Sequence, residues 1–162
     1  MCTHAKARNT QHRRKNTHGS SAEGGEDVKA VNFGDCVTAD HIIIGEKQES
    51  QHHDTVAVIV QDKATYWLAG YPKASKTTED TVAALQHFVG PHDKVKFFYS
   101  DGSGELKGAA KVMKWLNDTS TPYRPQANGV AERAVGRAID GTRSLLFASG
   151  FGRRWWDDAL IT

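Results

Sequence analysis

Three acidic residues stand at positions where a negative charge requires an explanation. Asp40 lies inside the apolar segment CVTADHIII (36–44), which predicts a buried strand, and period-two alternation places it on the same side as Ile42 and Ile44. An isolated buried carboxylate is costly, so Asp40 requires a hydrogen-bonding partner or a cation. A structural, hydrogen-bonded aspartate and a functional one are both compatible with this position. Asp35 competes for the role, but it follows a glycine and suits a turn.

The other two acids, Asp101 and Glu132, come from different kinds of element. Asp101 ends the predicted strand KFFYSD and opens the Gly-rich stretch DGSGEL, where a ligand-binding side chain and a plain turn residue are both common. Asn128 is predicted to be the N-cap of a helix that begins at Gly129, so Glu132 is expected in the first turn, where the helix dipole favours an acid. Glu132 lies about 200° around that helix from Val130, so it is expected to project away from the packed face.

These acids are positioned by a predicted order of elements β-β-β-α-β-α-β-α. Strands are predicted at 36–44, 55–61 and 65–71, and the last two form a hairpin around the turn 62–64. A helix capped by Thr77 and Asp80 follows, then a strand at 94–101, a helix at 104–113 and a short strand within 114–121. The order predicts an α/β fold, a mixed sheet of about five strands flanked by helices. The long last helix is predicted to end at Gly150 and to pack through Val130, Ala134, Ala138, Gly141 and Leu145.

Composition limits the class of protein without identifying it. The chain has 162 residues, enough for one domain, and its formal net charge of +2 is too small to indicate a nucleic-acid partner by itself. No apolar run is long enough for a membrane span and no signal-peptide core is present, so no membrane partner is expected. The two cysteines, Cys2 and Cys36, do not favour a disulfide framework, and a reducing compartment is expected.

The three acids and the segments around them resemble the DDE triad of the ribonuclease-H-like integrases of retroviruses and copia-type retrotransposons. Thr38-Ala39-Asp40 resembles the TxD of the family's first strand, and SDGSGEL resembles S-D-N-x-x-E-(L/F), with Gly102 where Asn is usual. The family's P-x-x-P-Q-x-N-G-x-x-E-R is matched in full from Pro122 to Arg133. The resemblance covers roughly residues 31–162.

The sequence departs from this family in two ways. Thirty residues separate Asp101 from Glu132, fewer than is usual, and the shortening falls around Lys114–Thr119, where we still expect a strand. We also expect residues 28–162 to be a catalytic core truncated at its C-terminus, preceded by a disordered basic tail and linker (1–27). Cys2 resembles the last ligand of an upstream zinc module, but Cys2, His4, His12 and His18 match no standard zinc spacing, so no zinc is expected.

The resemblance implies a chemistry for the acids. Asp40, Asp101 and Glu132 would be the catalytic residues and the ligands of two Mg²⁺ or Mn²⁺ ions, with Asp40 bridging both. The implied activity is that of a DDE-type polynucleotidyl transferase, which inserts retroelement DNA by strand transfer. The alternative is a catalytically inactive integrase remnant that acts only as a nucleic-acid-binding domain. A ribonuclease of the same fold would share the metal site, but the matched motif belongs to integrases.

The resemblance also implies partners and a location. Retroelement ends and target DNA would be the partners, a homo-oligomer is expected, and the nucleus is the expected location after a cytoplasmic particle stage. Arg133 and Arg137 are spaced four residues apart on one helix face, which suits phosphate contacts, although a solvated basic face has the same pattern. The residues assigned to DNA binding are Arg124, Gln126, Asn128, Arg133 and Arg137.

Overall fold

The computed structural model describes residues 30–91, 94–119 and 125–162, and it describes only the backbone at 118, 119 and 125–128. Five strands and four α-helices follow one another along this part of the chain, with single 3-10 turns at Glu46–Gln48 and Arg153–Trp155. They are β1 (Cys36–Ile43), β2 (Val56–Asp62), β3 (Leu68–Lys73), α1 (Thr78–Val89), β4 (Phe97–Ser100), α2 (Gly104–Met113), β5 (Leu116–Thr119), α3 (Pro125–Ser149) and α4 (Trp156–Ile161).

The five strands form one mixed sheet in the order β3-β2-β1-β4-β5. β1, β2 and β3 pair as an antiparallel meander, whereas β4 and β5 add to β1 in parallel. The strand that carries Asp40, β1, therefore lies at the centre of the sheet. This arrangement confirms the predicted α/β fold with a mixed sheet, and it confirms that the last strand is retained despite the short spacing.

Two apolar layers cover the two faces of the sheet. Val37 and Ala39 of β1 belong to a buried cluster with α1 and α2, whereas Ile59 of β2 packs with Ala134 of α3 and Trp156 of α4. Side chains alternate between faces along a strand, and Ile42 packs on the α3 side. Asp40, two residues before Ile42, therefore belongs to the face covered by α3.

The hairpin between β2 and β3 has a longer turn than predicted. β3 begins at Leu68 rather than at residue 65, because the fully buried Asp62 organises the turn. Its Oδ2 atom accepts hydrogen bonds from the amides of Ala64 and Thr65 and from the Thr65 hydroxyl, and Tyr66 adopts a left-handed φ of 62°. These contacts hold residues 63–67 out of the sheet ladder.

The first two helices match their predictions. Thr77 is the N-cap of α1, since its Oγ1 accepts a hydrogen bond from the amide of Asp80 at 3.1 Å. α2 has the predicted bounds and buries Leu106, Ala109 and Ala110. The strands are shorter than predicted: β1 ends at Ile43, and β4 and β5 have four residues each.

The prediction for the start of α3 is wrong. The helix begins at Pro125, so Asn128 is a helical residue rather than the N-cap, and Glu132 lies seven residues beyond the start rather than in the first turn. Proline suits the first helical position because its fixed φ is helical and its missing amide has no partner there. The helix ends at Ser149, before Gly150 with φ of 74°, as predicted.

The buried face of α3 is also slightly rotated from the predicted stripe. Ala134 is buried and Ala138 packs beside it, as expected, but Leu145 is 42% exposed and Leu146 takes its place against the sheet. Ala131 and Val135 complete this face at helical spacing.

The predictions for the N-terminal tail, including Cys2, His4, His12 and His18, lie outside the described residues. Within the described ranges, no helix combines the length and apolar character needed to cross a membrane.

Candidate active site

Asp40 and Asp101 are placed side by side by the pairing of the two central parallel strands. In the register of β1 and β4, Ala39 lies opposite Ser100, and the two acids are the next residues on their chains. Asp40 is half-buried, whereas Asp101 is exposed, just beyond the end of β4. The carboxyl ends of neighbouring parallel strands are a common location for functional side chains.

The environment of Asp40 disfavours the charged form of its carboxyl group. Desolvation raises the pKa of its carboxyl group, and the negative charges of Asp101 and Glu132 raise it further. A hydrogen bond from the amide of His41 to Asp40 Oδ1, at 2.7 Å, and the charge of Lys76 act in the opposite direction without reversing the shift. The charges of the other two predicted acids therefore both reach Asp40.

Glu132 reaches this region from α3. Its neighbours on the helix, Ala131 and Ala134, are buried against the sheet, while Glu132 itself is exposed. Because it lies about two turns from the start of α3, the helix dipole, which acts mainly within the first turn, does not explain its placement. A favourable interaction with the N-terminus of the helix therefore does not account for Glu132.

The donor set of these three acids suits a hard divalent cation, although the carboxylates are not drawn tightly together. In the described ranges, the one His/Cys/Asp/Glu group with all ligand atoms within 4.8 Å of one another is His52, Asp157 and Asp158. Asp101 Oδ1 instead accepts a hydrogen bond from the amide of Ser103 at 2.9 Å. Three carboxylates repel one another in the absence of a cation, and carboxylate oxygens are the ligands that Mg²⁺ and Mn²⁺ prefer.

A groove rich in basic residues lies between α3 and the β2–β3 turn, with a volume of about 910 Å³. We call it the basic groove. Its charged lining consists of four cations and one acid, so its field is positive. The polar lining residues are Gln61, Lys63, Tyr66, Arg133, Arg137, Asp140 and Arg143.

The residues predicted to bind DNA are only partly described. Arg133 and Arg137 are exposed and line the basic groove. Arg124 lies outside the described residues, and Gln126 and Asn128 are placed by their backbone only, within the first turn of α3. The prediction that these three contact DNA is therefore not tested.

Several charged residues near these sites were not predicted from the sequence. Lys63 joins the basic groove from a distant turn, and Arg143 lines the groove together with Arg133 and Arg137. Successive steps of three, four and three residues along the helix from Arg133, through Gly136 and Asp140, would have found Arg143. Lys76, whose Nζ lies 3.5 Å from Glu105 Oε2, was also missed, because only tertiary contact brings its charge near Asp40.

Comparison with solved structures identifies the fold of the chain. No protein-family model matches the chain, and no curated protein matches it. Among solved structures, the catalytic core domain of BIV integrase matches with a TM-score of 0.53 at 13% identity, covering 79% of this chain and 81% of that one. The chain has the ribonuclease-H-like fold of retroviral integrase cores. The identity of this match is low, so it establishes the fold rather than the activity.

Two further integrases share the integrase-core fold with this chain. The catalytic core domain of HTLV-2 integrase, in complex with magnesium and in a trimeric form, gives a TM-score of 0.57 at 13% identity, covering 79% of this chain and 80% of that one. The simian T-cell lymphotropic virus intasome, in complex with PP2A regulatory subunit B56 gamma, gives 0.61 at 14% identity. That match covers 98% of this chain and 55% of the intasome chain, so this chain spans about half its length.

Proposed function

We propose that this chain is an integrase catalytic core that carries out divalent-metal-dependent DNA strand transfer through Asp40, Asp101 and Glu132. One observation carries the proposal: the charges of Asp101 and Glu132 both act on the half-buried Asp40, which directly follows the last residue of β1 that pairs with β4. Three acids from a central strand, its parallel neighbour and a packed helix form the donor set that two-metal phosphoryl transfer requires. The integrase-core fold supports the same proposed function.

The three acids would hold two Mg²⁺ or Mn²⁺ ions. When bound, such ions would activate a water or DNA 3′-hydroxyl nucleophile and stabilise the leaving 3′-oxygen. The chain supplies the positions: Asp40 pairs with Ile59 of β2, directly after the Ala39–Ser100 pair that joins β1 to β4. The Ser103 amide holds Asp101, and Glu132 is carried by a helix that buries Ala131 and Ala134. Rigid elements of this kind preorganise a site.

The basic groove would hold DNA phosphates. Its arginines and lysine can neutralise the backbone without reading base sequence, which suits an enzyme that accepts varied target DNA. Retroelement ends and target DNA are the proposed partners, a homo-oligomer the proposed assembly, and the nucleus the proposed location. The intasome and the trimeric core among the similar structures support an assembly of several copies.

A catalytically inactive, nucleic-acid-binding remnant is the second candidate. The open spacing of the three carboxylates favours it, since the described ranges contain a tighter ligand group elsewhere. The basic groove would serve this function equally well. The two candidates differ in whether the acids bind cations and catalyse transfer.

A disintegration assay on branched DNA with Mn²⁺ or Mg²⁺ separates the two candidates. Replacing Glu132 with glutamine removes one anionic ligand and should reduce the rate by at least about a hundredfold. Glu79→Gln, an exposed acid on α1 across the sheet, is the matched control and should retain the rate. If the folded wild-type chain binds DNA but has no activity with either ion, the remnant is the correct reading.

Arg137→Gln should weaken duplex DNA binding, because it removes a cation from the basic groove. If Arg137 contacts one phosphate, the slope of log affinity against log salt should fall in magnitude by about 1. Lys111→Gln, which removes an exposed cation from α2 on the other face of the sheet, should leave the slope unchanged. Fluorescence anisotropy over a salt series measures both, and equal slopes in the two variants would remove Arg137 from the DNA interface.

A further inference from the structure

A second group of ligand atoms joins the β1–β2 loop to α4. His52 Nδ1 is 2.8 Å from Asp157 Oδ2 and 3.7 Å from Asp158 Oδ2. One ligand atom from each residue falls within 4.8 Å of the others. Separations of this size are normal between neighbouring ligands of one metal ion, which lie about 2.0–2.2 Å from it.

An ion pair between His52 and Asp157 does not satisfy this group. The Asp157 side chain is only 3% exposed, and its Oδ1 atom has no hydrogen-bond partner. The Oδ2 atom of Asp158 is also buried and without a hydrogen-bond partner, although its side chain is 46% exposed overall. Buried carboxylate oxygens normally have partners. The Ser50 hydroxyl lies near the Asp157 carboxylate but carries no charge, so the two acids leave room for a cation.

We propose that His52, Asp157 and Asp158 form a binding site for a divalent transition-metal ion of the Zn²⁺ class. One imidazole nitrogen and two carboxylate oxygens suit Zn²⁺ better than Mg²⁺, which prefers oxygen ligands alone. A cation there would be a partner for both oxygens and would compensate two adjacent negative charges. His52 is 59% exposed, which leaves an entry path and room for water to complete the coordination.

The site is held in place by contacts that do not involve its ligand atoms. The amides of His52 and Asp54 both donate to the hydroxyl of the fully buried Ser50, which fixes the loop. Trp156, next to Asp157 in sequence, donates from its Nε1 to the Gln48 carbonyl at 3.1 Å. These contacts hold the loop and α4 together, so the three side chains stay near one another before an ion binds.

The proposed site has a structural consequence rather than a catalytic one. It ties the loop between β1 and β2 to the start of α4, two segments more than a hundred residues apart in sequence. A metal that binds the folded chain in preference to the unfolded chain stabilises it by mass action. Zn²⁺ is therefore expected to raise the thermal midpoint of the whole chain.

Zn²⁺ titration of the full chain in excess Mg²⁺ tests the proposal. Isothermal titration calorimetry should show one Zn²⁺ equivalent fewer in His52→Ala and in Asp158→Asn than in the wild type, or affinity at that site weakened by more than about 100-fold. His53→Ala is the matched control, since the adjacent His53 is 75% exposed and pairs with Glu49 instead. The N-terminal Cys and His residues remain in every variant, so differences among the variants report this site alone.

A second measurement keeps the test independent of folding. In ¹⁵N-detected NMR of the wild type, Zn²⁺ should shift the Nδ1 resonance of His52 and leave that of His53 unchanged. Asp40→Asn should bind Zn²⁺ at this site as the wild type does, which separates it from the three-acid site. The proposal is overturned if the His52 resonances do not respond to Zn²⁺, or if folded His52→Ala binds as many ions with the same affinity as His53→Ala.

Discussion

Asp40→Asn will stabilise the metal-free protein at neutral pH while reducing metal-dependent strand transfer by at least about a hundredfold. The carboxyl group is half-buried, and Asp101 and Glu132 add negative charge near it. An amide of the same shape relieves desolvation and repulsion, because it carries no charge. The same substitution removes the ligand proposed to bridge two cations.

The pH dependence of this effect follows from the direction of the pKa shift. The pKa of Asp40 is raised in the folded state, chiefly by desolvation, so the carboxyl group favours folding below its unfolded pKa. That contribution is lost as pH rises through the raised folded pKa. The stability advantage of Asp40→Asn over the wild type should therefore be small in acid and grow as the pH approaches neutrality.

Asp35→Asn is the matched control and should behave in the opposite way. A hydrogen bond from Lys96 and those from the amides of Asn32 and Val31 lower the pKa of Asp35. A lowered folded pKa contributes stability above the unfolded pKa, and this is lost as pH falls through the folded pKa. Asp35→Asn should therefore destabilise the chain at neutral pH and approach the wild type in acid.

Thermal unfolding of the three proteins over a pH series, with chelator and then with Mn²⁺, measures these effects. Mn²⁺ should raise the midpoint of the wild type and of Asp35→Asn more than that of Asp40→Asn, because the last lacks the bridging carboxylate. Full strand-transfer activity in Asp40→Asn, or a loss of stability at neutral pH without metal, would contradict the assignment of Asp40.

Trp156→Ala should lower the free energy of unfolding by about 3–5 kcal/mol, the range for truncating a large buried aromatic residue. Trp156 is 7% exposed and packs with Ala57, Ile59 and Ala134, so it joins α4 to β2 and α3. Its indole also donates to the Gln48 carbonyl. The truncation therefore leaves a cavity in the layer that supports α3, the helix that carries Glu132.

Chemical denaturation of three variants tests the contribution of Trp156. Trp156→Phe should retain most of the packing and lose the hydrogen bond, at a cost of about 1–2 kcal/mol. Trp155→Ala is the adjacent control, because Trp155 is 37% exposed and contacts the rings of Phe151 and His52. This substitution should lower the free energy of unfolding by less than about 1.5 kcal/mol. If Trp156→Ala lowers the free energy of unfolding no more than Trp155→Ala does, α4 is not part of the cooperative core.

The element order, the mixed sheet and the positions of Asp40 within a strand and Asp101 at a strand's end were predictable, because each depends on local patterns. Alternating apolar residues mark the strands, and the Thr77–Asp80 cap marks the start of α1. The start of α3 was not predictable in this way. Asn128 and Gly129 are typical of a cap or turn, but the helix continues through them from Pro125.

The remaining errors concern contacts between residues distant in sequence. The β2–β3 turn is set by the buried carboxylate of Asp62, which also accepts a hydrogen bond from the amide of Gly34. His52 is exposed in the loop between β1 and β2, and periodicity carries no information about its pairing with Asp157, 105 residues away. Lys63 joins the basic groove for the same reason, through the fold rather than through its neighbours in the chain.

The placement of α3 has a consequence for the order of events during synthesis. The chain order of the three acids is Asp40 in β1, Asp101 directly after β4 and Glu132 in α3, so Glu132 is synthesised after the other two. The sheet can begin to form on a nascent chain that still lacks Glu132. Such an intermediate has two of the three proposed metal ligands, so we expect it to bind cations only weakly. The proposed site is complete only once α3 has been synthesised.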